Sequence, residues 1–393
     1  MCYDAAFQGR LLLIIFWETT FMTGIRRREF LGATGALVAG QIVAGEATAK
    51  VGPNDTLGIG IIGVGNRGTV LLQNLLQIPG VEVRAVCDID PAHLERGLKM
   101  VSDKGQKRPQ GTAEWRQFLK FEGLDAVVAA IPCDLHARLY LDVLAAGKDL
   151  YGEKPMCLTP GDLDAVVKAA RASTQIVQIG HQRRADPRFL DTIGQVHAGE
   201  LGALVEGRIL WSNSWGPLLG WFGQRQRSGD WIVEQAVHNW DVMNWAMRAR
   251  PVRALALGRN DLFRDLQAER DVHDYYAGLV EYPGGIFVNI IHSWVAPNKF
   301  NEEYTRLIGT KGGIDFNSGT FSYRPDQKKP DRPFGGGELN NTLLALQAFV
   351  RSVRTRSEPV CTVEHGRDAV LTCLLVRAAV DSQAVATMEK LIS

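Results

Sequence analysis

The residues with the clearest chemical purpose form a glycine-rich loop, with an acid twenty residues beyond it. Gly63, Gly65 and Gly68 follow a short apolar run and open an amphipathic one, and Asp88 ends the next apolar run. The first glycine would make a tight turn, the second would let backbone N–H groups approach a pyrophosphate, and the third would let helix and strand pack closely. The helix N-terminus adds positive dipole for the phosphates. The pattern therefore predicts a dinucleotide site.

The acid indicates which dinucleotide is bound. A carboxylate at Asp88 would accept hydrogen bonds from the ribose hydroxyls of NAD and would repel the 2′-phosphate of NADP. Arg67 in the loop and Arg84 before the acid could weaken that discrimination. NAD is the expected cofactor and NADP the less favoured one. Asn66 and Arg67 join the three glycines as expected cofactor contacts.

A lysine and a histidine far apart in the sequence could move a proton at such a site. Glu153 and Lys154 end a predicted strand, where ligands bind in open parallel sheets, so both are expected beside the cofactor. A single helix is predicted over 230–246, which would put Glu234, His238 and Asp241 on one face. Oxidising a carbinol needs a base for the O–H proton while hydride leaves for nicotinamide.

His238 suits the role of base because histidine titrates near neutral pH, and a neighbouring carboxylate such as Glu234 could orient it. Lys154 could relay a proton or bond a developing alkoxide. Asp241 is a candidate for substrate contact. Structural alternatives stay open: a surface lysine, a core histidine, and acids that only pair within the helix.

Aromatic and basic residues of the central region suggest the kind of substrate. Six tryptophans lie within 211–245, and flat aromatic faces stack on the C–H faces of sugar rings. Trp215 and Trp221, in a loop broken by glycine and proline, are candidate substrate contacts. His181 and Arg183 leave the last predicted parallel strand towards a cleft between domains and are further candidates. A carbohydrate substrate is therefore expected.

The elements that must position these residues fall into two kinds. Up to about residue 180, short apolar strands alternate with helical segments, which predicts an α/β fold with a Rossmann-type, doubly wound parallel sheet. Beyond it, strands and hairpin turns predict an α+β domain with a large, mainly antiparallel open sheet. One face of that sheet should carry helices and the other should be free for a partner subunit. The expected domains are 50–180 for the dinucleotide and 181–393 for substrate binding and oligomerisation.

Composition excludes several classes of protein. The chain is 46% apolar and 22% charged with a net charge of +1, so no nucleic-acid partner is expected. At 393 residues it is long enough for two domains. Its six cysteines form no CxxC pair and no metal-like spacing with the histidines. We expect neither a metal site nor a disulfide framework.

The N-terminal 49 residues read as a leader and an export signal. Residues 26–31 resemble the twin-arginine motif, 32–45 form a weakly apolar stretch, and 47–49 form a small-residue cleavage site. Because residues 1–21 fit this signal poorly, Met22 is the expected natural start. The sequence predicts export by the Tat pathway to the periplasm, with no membrane span after cleavage.

The motifs together resemble those of the Gfo/Idh/MocA family of NAD(P)-dependent oxidoreductases. The likeness covers essentially the whole chain after the signal and includes 131–136, 153–155 and 308–313. It implies an N-terminal Rossmann domain and a C-terminal sheet domain through which members usually oligomerise, so a homodimer or homotetramer is expected. It also implies sugars and polyols as substrates.

The resemblance carries over to individual positions. Lys154 matches the active-site lysine of the family and His238 its catalytic histidine. Glu234 stands where the family often has aspartate, a departure that keeps the charge but lengthens the arm. Pro132 and His136, after a predicted strand, are expected near the cofactor.

Three functions compete at this stage. The first is an NAD-dependent oxidoreductase acting on a sugar carbinol, and the second is a redox-neutral glycosidase or lyase that oxidises a sugar carbon transiently, as some relatives do. The third, a non-catalytic sugar-binding or NAD-binding protein, would require loss of Lys154 or His238, and both are present. A Tat signal favours a tightly held cofactor, because free NAD should be scarce outside the inner membrane.

Overall fold

The computed structural model describes residues 56–214, 216–333 and 339–393. The predicted leader and export signal lie outside the described residues, and so does Trp215.

The first sheet is parallel and doubly wound. In the described chain it has six strands: β1 (Leu57–Ile62), β2 (Val81–Cys87), β3 (Gln110–Thr112), β4 (Ala126–Ala129), β5 (Asp149–Gly152) and β6 (Val177–Ile179). Their order is β3-β2-β1-β4-β5-β6, and every pair is parallel. The predicted Rossmann-type sheet is confirmed. Because strand order reverses between β1 and β4, a crevice opens there at the carboxyl ends of the strands.

Helices connect these strands on both faces of the sheet. They are α1 (Asn66–Leu75), α2 (Pro91–Asp103), α3 (Trp115–Phe118), α4 (His136–Ala145) and α5 (Pro160–Arg171). All residues of β1 and β4 are buried, as expected for strands covered on both faces. Two of these helices have typical N-terminal caps: the side chain of Asp90 caps α2 and that of Thr159 caps α5, each with proline in the first turn.

The second sheet is large and mixed. Within the described residues it comprises β7 (Leu204–Ser212), β8 (Arg253–Arg259), β9 (Tyr275–Tyr282), β10 (Ile286–Ser293), β11 (Glu302–Gly309), β12 (Gly312–Asp315), β13 (Thr320–Tyr323), β14 (Arg332–Pro333) and β15 (Ala386–Thr387). Their order is β14-β13-β12-β11-β7-β10-β9-β8-β15. Among the described strands of this sheet only β7 and β10 pair in parallel, so the predicted mainly antiparallel sheet is confirmed.

The remaining helices are α6 (Pro187–His197), α7 (Arg225–Ser228), α8 (Trp231–Glu234), α9 (Val237–Met247), α10 (Asn341–Thr355), α11 (Val363–Ser382) and α12 (Met388–Ile392). Helix α10 returns to the first sheet, where Leu346 and Phe349 enter the same buried cluster as β1. Helix α11 also approaches it, because a Cβ on Gly366 would lie 2.9 Å from Ile179. The C-terminal helices therefore help to bury the parallel sheet.

The single helix predicted over 230–246 is wrong, because the structure divides this stretch into α8 and α9. The hydrogen-bond ladder changes at the junction: Ala236 N–H donates to Trp231 O, and His238 N–H donates to Gln235 O. The side chain of Gln235 contacts strand β10: Gln235 Oε1 lies 2.7 Å from Nε2 of His292 in that strand. Glu234 and His238 therefore belong to two successive helices and do not share one continuous helix face.

Candidate active site

A cavity of about 720 Å³ opens at the carboxyl ends of β1, β2, β4 and β5. It lies at the switch point of the parallel sheet, where open α/β folds bind ligands. Eleven of the residues singled out from the sequence line it: Gly63, Gly65, Asn66, Arg67, Asp88, Pro132, Glu153, Lys154, Trp221, Glu234 and His238. The sequence patterns in 63–88, around 153 and in 234–238 thus meet in one space.

The three glycines of the loop have different roles, some in the fold and one at the cavity. Gly63 has φ of 83°, and a Cβ there would lie 2.2 Å from Ala130 O. A Cβ on Gly68 would lie 1.8 Å from Gly63 O, so α1 can pack on the loop only without one. At Gly65 the nearest atom to a Cβ would be His93 Cε1 at 3.9 Å. Gly63 and Gly68 therefore serve the backbone, whereas Gly65 faces the cavity.

The predicted ribose acid is fixed by backbone donors. Asp88 Oδ2 accepts a hydrogen bond from Val64 N at 2.7 Å, and Oδ1 accepts one from Asp90 N at 2.9 Å. His93 Nδ1 lies 3.8 Å from Oδ2. A carboxylate oxygen has room for a second donor, so Asp88 can accept from a ribose hydroxyl while it stays in place.

The two arginines near the nucleotide loop lie in different places. Arg67 Nε donates to Glu153 Oε1 at 2.8 Å, and Nη1 donates to Thr342 Oγ1 in α10 at 3.0 Å. Arg84 donates to Gly123 O at 2.9 Å and does not line the cavity. Arg84 is therefore poorly placed to change the choice between NAD and NADP, and Arg67 points towards Glu153.

Lys154 and Glu234 form an ion pair in the cavity wall. Lys154 Nζ lies 2.5 Å from Glu234 Oε1 and 2.6 Å from Glu234 O, and each side chain is 13% exposed. The carbonyl is free to accept because α8 ends at this residue. Glu234 thus holds Lys154 rather than the histidine.

His238 lines the same cavity and presents an imidazole with no hydrogen bond to any described protein group. Burial lowers its pKa well below the ordinary value, and the charges of Lys154, Arg183 and Arg67 lower it further. The ring is therefore neutral near pH 7 and can accept a proton. It contacts His181 edge to face, with ring centroids 5.9 Å apart.

The cations around His238 are each matched by an acid. Three pairs surround the ring in the described part of the chain: Arg67–Glu153, Lys154–Glu234 and Arg183–Glu303. The local formal charge is therefore balanced. These ion pairs leave no net charge beside the ring for a ligand to neutralise, and their donors and acceptors are groups that can hydrogen-bond to hydroxyls.

Two models of protein families match the chain. Residues 57–181 match an oxidoreductase family with an NAD-binding Rossmann fold, and residues 194–315 match the GFO/IDH/MocA C-terminal domain. The chain belongs to the Gfo/Idh/MocA family of oxidoreductases.

Individual relatives are distant. A glycosyl hydrolase family 109 protein from Shewanella sp. strain MR-4 is 26% identical over 209 residues, which are 47% of this chain and 46% of that protein. The chain thus spans about half the length of the curated relatives it matches. Myo-inositol 2-dehydrogenase from Lactobacillus plantarum shares the fold, with a TM-score of 0.71 and 20% identity over 84% of this chain and 99% of its own.

A levoglucosan dehydrogenase, solved with NADH and levoglucosan, has a TM-score of 0.73 at 15% identity, covering 85% of this chain and 99% of its own. At such identities the solved structures establish the fold alone.

Several sequence candidates lie away from the cavity of this Gfo/Idh/MocA protein. Asp241, expected at the substrate, is 1% exposed and accepts both of its bonds from Arg184 Nε, at 2.9 and 3.0 Å. His136, expected near the cofactor, is buried behind the wall, where its nitrogens lie 2.7 Å from Pro155 O and 2.9 Å from Ile131 O. Both side chains hold neighbouring segments together through these contacts. The expected direct contact with a ligand is therefore wrong for Asp241 and for His136.

Three more of the predicted site residues do not line the cavity: His181, Arg183 and Gly68. His181 is 2% exposed, beneath His238, and Arg183 is paired with Glu303 of β11. The structure therefore puts these basic residues next to the catalytic candidate and not in the cavity wall.

Sequence reasoning missed other residues of the site. Cys133, Phe222 and Arg227 line the cavity, and the ring of Phe222 stacks on Trp221 at 3.8 Å. Cys133 lies within 131–136, one of the segments that carry the family resemblance, and Phe222 follows Trp221 directly, so the sequence contains a signal for both. Nothing in the sequence pointed to Thr342, which meets Arg67 across 275 residues.

Metal and membrane features can be stated for the described residues. No group of three or more His, Cys, Asp or Glu in them is placed to hold a metal ion. The five cysteines that the structure describes are free and buried. No helix in the same residues has the length and apolar content needed to cross a bilayer.

Proposed function

We propose that this protein is an NAD-linked oxidoreductase that acts on a carbinol of a neutral sugar or sugar derivative. The observation that carries the proposal is the meeting of Lys154, Glu234 and His238 with the glycine loop in one cavity. Bound NAD would supply the acceptor for hydride. The residues present fit it, since Gly65 leaves room for the pyrophosphate and Asp88 is fixed to accept ribose hydroxyls.

Each polar side chain has a distinct task in the proposed reaction. His238, neutral and without a hydrogen-bond partner among the described residues, takes the hydroxyl proton of the substrate. Lys154, held by Glu234, donates to the substrate oxygen as negative charge develops on it. Trp221, stacked on Phe222, offers an aromatic face to the sugar ring.

We further propose that the cofactor is held tightly and recycled within the site. The predicted Tat signal motivates this, because a cofactor loaded in the cytoplasm would be exported with the folded protein to the periplasm. Support comes from Arg67, which ties the nucleotide loop both to Glu153 and to Thr342 of the C-terminal helix α10. Such a tie would slow the opening of the loop.

A redox-neutral glycosidase or lyase is the second candidate. It is favoured by the curated relatives, which are named as glycosyl hydrolase family 109 proteins. The first chemical step would be the same, with His238 taking the hydroxyl proton and bound NAD supplying the hydride acceptor. The two functions differ only in whether hydride returns to the same sugar after a substituent has left.

Self-association through the second sheet is the proposed assembly, as a dimer or tetramer. Its outer face exposes large apolar side chains on three adjacent strands, among them Leu255, Leu257, Leu279, Phe287 and Ile291. An exposed apolar face of this kind is typical of a protein interface.

The decisive experiment is a substrate screen with two readouts. Protein purified without added cofactor would be mixed with a panel of sugars, polyols and aryl glycosides, with NADH fluorescence and aglycone release followed together. NADH that accumulates with a free sugar supports the oxidoreductase. Aglycone release without lasting NADH supports the glycosidase. Neither signal, with NAD shown to be bound, rejects both.

A further inference from the structure

His181 differs from the other fully buried histidines of the described chain. His136 has both ring nitrogens within bonding distance of backbone carbonyls, and His292 contacts Gln235 Oε1 at 2.7 Å and Tyr276 Oη at 3.1 Å. Neither nitrogen of His181 has a hydrogen-bond partner among the described groups. Buried polar groups are nearly always bonded, so an unpaired imidazole calls for a functional reason.

The position of His181 supplies one. Its ring stands edge to face against His238 with centroids 5.9 Å apart, and its Nδ1 lies 3.8 Å from Asp241 Oδ2. Asp241 is itself fixed by Arg184, and all three side chains behind His238 are at most 4% exposed. A line of titratable groups therefore runs from the cavity through His238 and His181 to a buried carboxylate.

We propose that His181 receives and stores the proton that His238 removes from the substrate, directly or through one water molecule, while Asp241 stabilises the charge. The proposal rests on the proposed function. In the transfer an N–H bond on His238 breaks and one on His181 forms, with no change of oxidation state. The stored proton returns by the reverse path when the substrate oxygen, or a leaving group, needs it.

The charges around the two rings set the direction of transfer. Burial lowers the pKa of both, but His238 faces Lys154, Arg183 and Arg67, all of which lower its pKa further, as does His181 once it is charged. Every one of these neighbours disfavours a proton on His238.

His181 has a more favourable environment for the proton. The charge of Asp241 raises its pKa, and Glu153 adds to this, against Arg184 and Lys154, which lower it. Burial is the largest effect and lowers the pKa of His181 to about 4, but the charges of Asp241 and Glu153 favour its protonated form, whereas the charges named around His238 all disfavour a proton there. A proton taken up by the cavity histidine is therefore more stable on the buried one.

This makes His181 a positioning and storage residue, since it does not line the cavity. Its loss should lower kcat and not KM, because substrate contacts are unchanged. Replacing His181 with phenylalanine keeps the edge-to-face ring and removes both nitrogens. We expect kcat to fall at least about tenfold, at the weak end of the effect of a direct proton-transfer group. His197→Phe, at a histidine bonded to Trp245 O in α9, is the matched control and should keep wild-type kcat.

The direct test is a histidine NMR titration of the holoprotein as isolated, with ring signals assigned by single variants. On acidification, the His181 signal should titrate before that of His238. In Asp241→Asn it should titrate at lower pH. Earlier titration of His238, or no titration of either ring before unfolding, overturns the proposal, as does His181→Phe with wild-type kcat at every pH. The titration needs no substrate, so failure to oxidise any sugar would reject the proposed function while leaving this test intact.

Discussion

Two substitutions in the glycine loop should have different effects, one on the stability of the fold and the other on cofactor binding. Gly68→Ala would put a Cβ 1.8 Å from Gly63 O, a backbone atom that cannot swing away. Either α1 or the loop must shift, at a cost of about 1–3 kcal/mol or more for overpacking. Gly65→Ala would meet only His93 Cε1 at 3.9 Å, so the empty protein should lose little stability. Its Cβ would instead enter the cavity, in the space that the pyrophosphate of the proposed cofactor would need.

The magnitudes follow from these distances. For Gly65→Ala, the same 1–3 kcal/mol falls on the complex alone, so the Kd for NAD should rise about 5- to 150-fold. Gly161→Ala in α5 is the matched control, because its Cβ would have nothing within 4 Å. That variant should be neutral or stabilising by about 0.5–1 kcal/mol, since alanine is the better helix former.

The assay has two arms: Tm of protein stripped of nucleotide, and NAD titration by calorimetry. Gly68→Ala should lower Tm clearly, Gly65→Ala should keep Tm and weaken NAD, and Gly161→Ala should change neither adversely. The reasoning is refuted if Gly65→Ala binds NAD as tightly as the wild type, or if Gly68→Ala melts at the wild-type temperature.

Three further outcomes are expected. Lys154→Ala and His238→Ala should each lower kcat about 10²–10⁴-fold while NAD affinity stays near normal in calorimetry; wild-type turnover would remove the assigned role. Asp88→Ser should weaken NAD and relatively favour NADP, and an unchanged ratio of the two Kd values would place selectivity elsewhere. Burial lowers the pKa of His273, but the hydrogen bond to Asp230 at 2.6 Å and the charge of Asp230 together outweigh burial and raise the pKa overall. Stability from this pair is present at low pH and lost as pH rises through the folded pKa, so Tm should fall there and His273→Gln should flatten the profile.

The parts of the site that the sequence predicted are those governed by local rules. The glycine spacing and Asp88 carry their own geometry, since turn, strand and helix lie within about thirty residues. Lys154 could be predicted because it closely follows the end of the parallel strand β5, and the carboxyl ends of such strands share one edge of the sheet.

What the sequence could not predict depends on long-range contacts. The break between α8 and α9 rests on Gln235, whose side chain is held by His292 from another strand. The sequence pattern places Asp241 on a helix face, available to a ligand. In the structure, Arg184 from a distant turn donates hydrogen bonds to both of its carboxylate oxygens. Periodicity reports which residues share a face but not which partner approaches that face.

The central claim, that this cavity transfers hydride from a sugar carbinol to bound NAD, has one direct test. Protein isolated without added cofactor and desalted would be mixed in a stopped-flow instrument with the substrate from the screen, and NADH fluorescence recorded through the first turnover. A rise matching the bound nucleotide is predicted, lasting for net oxidation and transient for redox-neutral cleavage, and absent in His238→Ala. Turnover of that substrate by the wild type with no NADH signal at any time would contradict the claim.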